Sequence, residues 1–308
     1  MRRKIQSLAK STGYRINPLV SALMQSRRSG RAVNHVVLGY VTCYPTRYGW
    51  RPQYHDRPDY FPGAEARAWE LGYKLEHFWL AEPGMTPQRF CDILSVRGIQ
   101  GLLIGRLPPG QSTLSLLWER FSCVALGQTL REPALNRVTE DHYAGAWLAM
   151  EQLQARGYRR IGFAFTEPDD SPRVGDRWLG AYLRQQLKLP AADRIPPFLY
   201  DGPALTQKKF SAWFDRHKPD AVLATHATPA LVWFKQMKKR VPVDVGVAAV
   251  TNDRPQLGAS GIFCDSAKLG GLAVEMLVGM MHRGEIDIPP DPHEGLLRGE
   301  WRPGRTVE

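Results

Sequence analysis

The chain has 308 residues, 43% hydrophobic and 23% charged, with a formal net charge of +11. That length suits two core-forming units and a small arm, and no uninterrupted apolar run approaches the ~18 residues of a helical membrane span, so neither a largely disordered chain nor membrane-spanning helices are expected. The basicity is local: residues 1–31 hold eight Lys or Arg (Arg2, Arg3, Lys4, Lys10, Arg15, Arg27, Arg28, Arg31) and no acid, the first carboxylate being Asp56. Such a cluster suits a polyanion bound by phosphate neutralisation, and it equally suits a solvated tail.

In chain order, Gly13 can close a first helix and Asn17 can cap a second that begins near Pro18, where the missing proline N–H needs no partner. Short β-rich runs then alternate with helical patterns. Val36–Val41, Gly101–Ile104 and Cys123–Leu126 make one set, with Phe90, Ile93 and Leu94 spaced as a helix face between them. Ile161–Phe165, Ala221–Ala224 and Val245–Val250 repeat the design, joined by helix-like segments near 175–188, 206–217 and 228–239. Gly261–Gly284 reads as a strand and then a helix carrying Leu269, Leu272, Ala273, Met276 and Leu277. The segments 44–60 and 289–308, rich in Pro and in polar or aromatic residues, are expected to be loops.

The fold class is therefore α/β: two doubly wound parallel-sheet lobes, with an N-terminal helical arm and hinge helix. The expected division is 1–33 for the arm and hinge, 34–156 plus 262–288 for the N-terminal lobe, and 157–261 plus 289–308 for the C-terminal lobe. A ligand cleft is expected where the strand C-termini of the lobes face each other. Cys43, Cys91, Cys123 and Cys264 are scattered without Cys-x-x-Cys or His at ligand spacing, so free buried thiols are expected, with no metal and no disulfide framework. The cationic first turn is not followed by an apolar signal segment, which leads to the expectation of a cytoplasmic protein.

Several ordered motifs together resemble the LacI/GalR family of transcriptional regulators over essentially the whole chain. They are Gly13-Tyr14-Arg15-Ile16-Asn17 through Leu23; Val138-Thr139-Glu140-Asp141 with Gly145, Ala146, Leu153 and Gly157-Tyr158-Arg159-Arg160-Ile161; Arg177-Trp178-Leu179-Gly180-Ala181-Tyr182; Val241-Pro242-Val243-Asp244-Val245; and Leu269-Gly270 with Gly299-Glu300-Trp301-Arg302. The resemblance implies a homodimer that docks hinge helices in the minor groove of operator DNA. It further implies a periplasmic-binding-protein-like core that binds a small effector, often a sugar or nucleobase, without a cofactor. Arg15, Asn17, Ser21, Leu23 and Arg27 fall on the DNA-contacting stretch, and Leu23 falls where the family hinge leucine wedges between base steps. A leucine that covers the core is the lesser, alternative reading of Leu23. A hinge helix this short is expected to order only on DNA or against a partner's hinge.

For the effector, Arg177 falls on the family arginine that points into the cleft, where its planar fork can hold vicinal hydroxyls or a carboxylate; a surface arginine at a helix start is the other reading. Asp141 falls on the family's acceptor near the lobe crossing. Where the family carries Asn-Asp this chain has Thr225-His226, and where it carries an acid after the next strand this chain has Thr251-Asn252-Asp253, so His226 and Asn252 are the candidate hydrogen-bonding groups in a less acidic pocket. Tyr44, with Trp50, Tyr54 and Trp178, offers a stacking face, although such aromatics also serve as core.

Two departures bear on function. The family headpiece has three helices and this chain starts within the third, from which a misassigned start codon or a degenerate regulator is expected. No nucleophile motif accompanies the Asp141-His142 pair, and neither Gly-x-Gly-x-x-Gly after a strand nor a P-loop is present, so an enzyme is not expected. A soluble sugar-binding protein without sequence-specific DNA binding is the alternative function.

Overall fold

The computed structural model describes residues 36–51, 59–166, 173–200, 206–252 and 258–308. The elements are β1 (Val36–Thr42), α1 (Phe61–Glu70), β2 (Tyr73–Trp79), α2 (Pro87–Val96), β3 (Gly101–Ile104), β4 (Ser122–Leu126), β5 (Arg137–Glu140), α3 (His142–Ala155), β6 (Ile161–Thr166), α4 (Arg177–Gln186), β7 (Phe198–Tyr200), α5 (Thr206–His217), β8 (Ala221–Ala224), α6 (Ala227–Gln236), β9 (Gly246–Ala249), β10 (Ser260–Phe263), α7 (Ser266–Arg283), β11 (Glu294–Leu297) and β12 (Glu300–Arg302).

They form two six-stranded sheets, ordered β11-β5-β4-β3-β1-β2 and β12-β10-β9-β8-β6-β7. Every pairing is parallel except that β12 runs against β10. The inner strands β3, β4, β8 and β9 are buried at every position, because helices or loops cover both faces of each sheet. In the first lobe, α1 and α7 cover one face through Ala64, Ala68, Leu269, Ala273 and Leu277, while α2 and the segment 107–135 cover the other through Phe90, Cys91, Leu94, Leu116 and Leu135. In the second, α3 and α4 lie on one face with Ala149, Leu153, Trp178 and Tyr182, and α5 and α6 on the other with Phe210, Trp213 and Phe234.

Helices α1 and α7 cross at glycines. A Cβ on Gly63 would lie 1.9 Å from the Ala267 carbonyl oxygen, and one on Gly270 would lie 2.1 Å from that of Tyr60. Helix α7 is capped by Asp265, whose carboxylate accepts from the Lys268 N–H at 3.0 Å, and it ends on Gly284 at φ +67°.

The chain passes between the lobes three times, after β5, after β10 and after β11. These points differ from the expected boundaries. Helix α3, expected in the N-terminal lobe, packs through Ala146, Ala149, Met150 and Leu153 on Ile161 and Phe163 of the second sheet. Apolar side chains on more than one of its faces, Trp147 and Leu148 among them, hid from the pattern which sheet it serves. The strand opening Gly261–Gly284 belongs to the second sheet as β10, and only its helix returns to the first lobe. The segment 289–308 is not simply loop: β11 joins the first sheet and β12 the second. Their short, charged, half-exposed sequences are those of edge strands, which carry little apolar pattern. On α2, Ile93 faces outward at 36% exposure, and Cys91 takes the core position beside Phe90 and Leu94. None of the four cysteines is in a disulfide among the described residues; Cys43, Cys91 and Cys123 are buried and Cys264 is partly so. Residues 1–33, with the expected hinge helix, lie outside the described residues.

Candidate functional site: the junction between the lobes

The strands of the first sheet deliver Tyr44 after β1, Arg106 and Leu107 after β3, and Glu140 at the end of β5. From the second lobe come Arg173 just before α4, Arg177 and Trp178 at its start, Thr225 and His226 after β8, and Asn252 after β9. Ligands of open parallel sheets settle at such strand C-termini.

Glu140 is the central charge. Its Oε1 accepts from the Tyr60 hydroxyl at 2.8 Å, its Oε2 lies 3.5 Å from His142 Nε2, and Arg106 Nη1 lies 3.5 Å from the same Tyr60 oxygen. Burial by itself would raise the Glu140 carboxyl, but the His142 ring, the Arg106 guanidinium and the Tyr60 hydroxyl outweigh it and hold it below the usual carboxylate range. Burial pushes the His142 imidazole down to about 4 against the pull of Glu140, with Arg106 and Arg177 pushing the same way. At neutral pH the group is therefore a carboxylate compensated by Arg106 beside a neutral imidazole. The Trp178 ring stands edge-on to His142, with centroids 5.1 Å apart.

Among the described residues, two arginine contacts join the lobes here. Arg173 Nη2 donates to the Leu107 carbonyl at 3.0 Å, an oxygen that also lies 3.5 Å from the Tyr44 hydroxyl. Arg177 Nη2 donates to Glu294 Oε2 on β11 at 2.9 Å. Glu294 is shared, its Oε1 lying 3.2 Å from Gln128 Nε2 and 3.6 Å from Arg137 Nε. Arg177 Nη1 is buried with no hydrogen-bond partner among the described residues, as is the Thr225 hydroxyl. Beside the cleft, Trp50 packs on Tyr40, Phe61 and His77 at 5.1–5.5 Å, with the Arg51 guanidinium 4.9 Å from its ring.

Of the five residues expected to hold an effector, Tyr44 and Arg177 stand at the two lobe-joining contacts. Asp141 caps α3, its Oδ1 accepting from the Ala144 N–H at 3.0 Å, while its own N–H donates to the Leu297 carbonyl. Asn252 is buried, and its side-chain amide donates to the Ala259 carbonyl at 2.9 Å, tying the ends of one segment together. His226 is half-buried at the start of α6. Tyr60, Arg106, Glu140, Arg173 and Glu294 were not among the expected residues. For Arg106 and Glu140 a signal existed, namely a charged residue at the cleft end of a strand. Arg15, Asn17, Ser21, Leu23 and Arg27 lie outside the described residues. Among the described residues no group of three or more His, Cys, Asp or Glu is placed to hold a metal ion, and no helix is long and apolar enough to cross a membrane.

Two mostly parallel sheets joined by three chain crossings define the class of two-lobed α/β proteins. Residues 150–307 match the periplasmic binding protein-like domain. The chain belongs to that family. Among curated protein sequences none matches it. Solved structures with the same fold include the lac repressor dimer bound to operator and the anti-inducer ONPF, at 17% identity and a TM-score of 0.61, covering 99% of this chain and 89% of that one. A regulatory protein of the LacI family from Chloroflexus aggregans matches at 18% identity and a TM-score of 0.63, with 89% and 99% covered. A complex of the transcriptional regulator CelR with cellobiose matches at 17% identity and 0.59, with 95% and 92% covered.

Proposed function

We propose that this chain is a DNA-binding transcriptional regulator whose two-lobed core binds a small effector at the lobe junction and thereby controls how its N-terminal segment docks on DNA. The observation that carries the reading is the pair of lobe-joining contacts made by Arg173 and Arg177, each a polar group that a ligand's oxygen atoms can replace. A ligand that satisfies these groups better in one lobe arrangement than in another shifts the equilibrium between the two, and only that difference in affinity does the work. The first lobe begins at β1, directly after the acid-free segment with eight cations, so a change in lobe angle is felt by the basic segment. Support comes from the fold shared with a repressor bound to operator and with a regulator bound to cellobiose. Carbohydrates are accordingly the first effector class to test, and a homodimer is the assembly in which two basic segments meet one duplex.

The test has two arms. In the first, the full chain is titrated on a labelled mixed-sequence duplex over a range of salt, and the Arg15→Gln/Arg27→Gln variant is expected to lower the log–log salt slope by about 2. Absence of any salt-dependent affinity in the parent chain refutes the DNA half and leaves a soluble ligand-binding protein. In the second, thermal shifts with hexoses and disaccharides are repeated on Arg177→Ala. A shift that survives this substitution unchanged puts the ligand elsewhere.

A further inference from the structure

We propose that the effector carries an oxyanion, a carboxylate or a phosphate monoester, and that it binds by taking the place of Glu294 on Arg177. The inference rests on the reading of the junction as an effector site and names the chemistry of what enters it.

Three observations lead there. First, the Arg177 fork already holds a carboxylate, and that carboxylate comes from the opposite lobe, Nη2 standing 2.9 Å from Glu294 Oε2. The arrangement is that of an anion site filled by the protein's own side chain. Second, the grip is half made. Guanidinium and carboxylate or phosphate meet best through two parallel N–H···O bonds, yet Nη1 is buried with no partner among the described residues. A buried donor left unmatched is costly, and an oxyanion reaching both nitrogens removes that cost where Glu294 does not. Third, Glu294 can leave without being stranded. Its other oxygen lies 3.2 Å from Gln128 Nε2 and 3.6 Å from Arg137 Nε, and both partners are in its own lobe. Displacement exchanges one carboxylate for another on Arg177 while Arg137 keeps Glu294 compensated.

A neutral polyol has no such advantage. To bind Arg177 it must remove Glu294 and offer hydroxyl oxygens that carry no charge, so it exchanges a charge-assisted bond for a weaker one. Of the remaining groups of the junction, the Thr225 hydroxyl, buried and without a partner among the described residues, suits the uncharged part of a ligand, and the Glu140 carboxylate is already compensated by Arg106. Glu294 is thus a built-in competitor that sets a threshold concentration for the anion and discriminates against neutral sugars.

The experiment is calorimetric titration and thermal shift of the full chain at constant ionic strength with four probes: glucose, glucuronate, glucose 6-phosphate and inorganic phosphate. The parent chain, Glu294→Gln, Arg177→Gln and Arg177→Lys are compared, with melting of each unliganded variant as a folding control. Glucuronate or glucose 6-phosphate is expected to bind more tightly than glucose, the pair identifying whether carboxylate or phosphate is preferred. Glu294→Gln is expected to tighten the bound acid about two- to fivefold, the range set by a partly exposed ion pair. Arg177→Gln is expected to abolish acid binding and Arg177→Lys to restore part of it. Glucose binding as well as the acids, with sensitivity to Arg177→Gln, overturns the inference while the effector site stands. An unchanged or weakened acid affinity in Glu294→Gln overturns it too. If no acid binds, the inference falls; if the hexoses and disaccharides also fail, the effector site falls with it.

Discussion

Replacing Gly270 by alanine tests whether the α1–α7 crossing positions the site as well as the core. The added Cβ would lie 2.1 Å from the Tyr60 carbonyl oxygen and 2.8 Å from the Ala64 nitrogen, both backbone atoms that cannot swing aside. Restoring an ordinary contact requires the helices to separate by roughly 1 Å, and overpacking of that kind costs ~1–3 kcal/mol. Alanine's better helix propensity returns up to about 1 kcal/mol, so the net loss is expected near 1–2 kcal/mol. The neighbouring Gly271 supplies the control. A Cβ there meets the Arg67 side chain at 3.5 Å, an ordinary contact, and Gly271→Ala is expected to be neutral or stabilising by up to ~1 kcal/mol. Urea denaturation of both variants, read as a shift in midpoint at unchanged slope, measures the difference. Because Tyr60 both receives the clash and holds Glu140 through its hydroxyl, Gly270→Ala is expected to disturb the lobe junction as well. Equal stability of the two variants would refute the packing argument.

The pH dependence of stability follows from two partly buried histidines. His142 and His77 are both held down to about 4 in the folded chain, first by burial, so between about 6.5 and 4 the unfolded chain binds protons that the folded chain does not. The stability they represent is complete above that window and is lost as pH falls through it, at up to ~1.4 kcal/mol per pH unit for His142 and less for the half-buried, solvent-screened His77; chemical denaturation of a His77→Gln/His142→Gln variant should show a flatter curve than the parent. Glu140, also lowered, adds a loss that begins in the ordinary carboxylate range and continues below it. Tyr60→Phe removes the hydroxyl donated to that carboxylate and is expected to cost ~1.5–3 kcal/mol by denaturant melting, as hydrogen bonds to charged groups do. Asp141→Ala removes the α3 cap and is expected to cost about 1 kcal/mol, whereas Asp141→Asn keeps most of the cap; equal melting temperatures for the two would contradict the capping role.

Much of the fold was legible because parallel strands covered on both faces leave unbroken apolar runs. Gly101–Ile104 and Ala221–Ala224 were read with the bounds the structure has, and the segment 206–217 coincides with α5. The strands that escaped were β2, where Lys74, Glu76 and His77 interrupt the run, β5 and the edge strands β11 and β12 with Arg137, Glu140, Glu294, Glu300 and Arg302, and β7, which is only three residues long. The junction was only partly legible for a different reason. Arg177 and Tyr44 stand out by position, but Tyr60 meets Glu140 across 80 positions and Arg177 meets Glu294 across 117, and no local spacing announces such pairs.

The three chain crossings also govern the order in which the protein comes together on the ribosome. The second lobe is almost contiguous, from α3 to β10, and needs only β12 and the final residues, where the Thr306 hydroxyl donates to the Val247 carbonyl. The first lobe is split: the apolar face of its sheet that receives α7 stays bare, and β5 stays unpaired on its β11 side, until synthesis has passed β11. Domains ordinarily mature in the sequence of their synthesis, but here the earlier half is incomplete until α7 and β11 emerge, by which point the later half lacks only β12 and the residues after it. During that interval an exposed apolar surface makes the nascent first lobe a natural client for a chaperone.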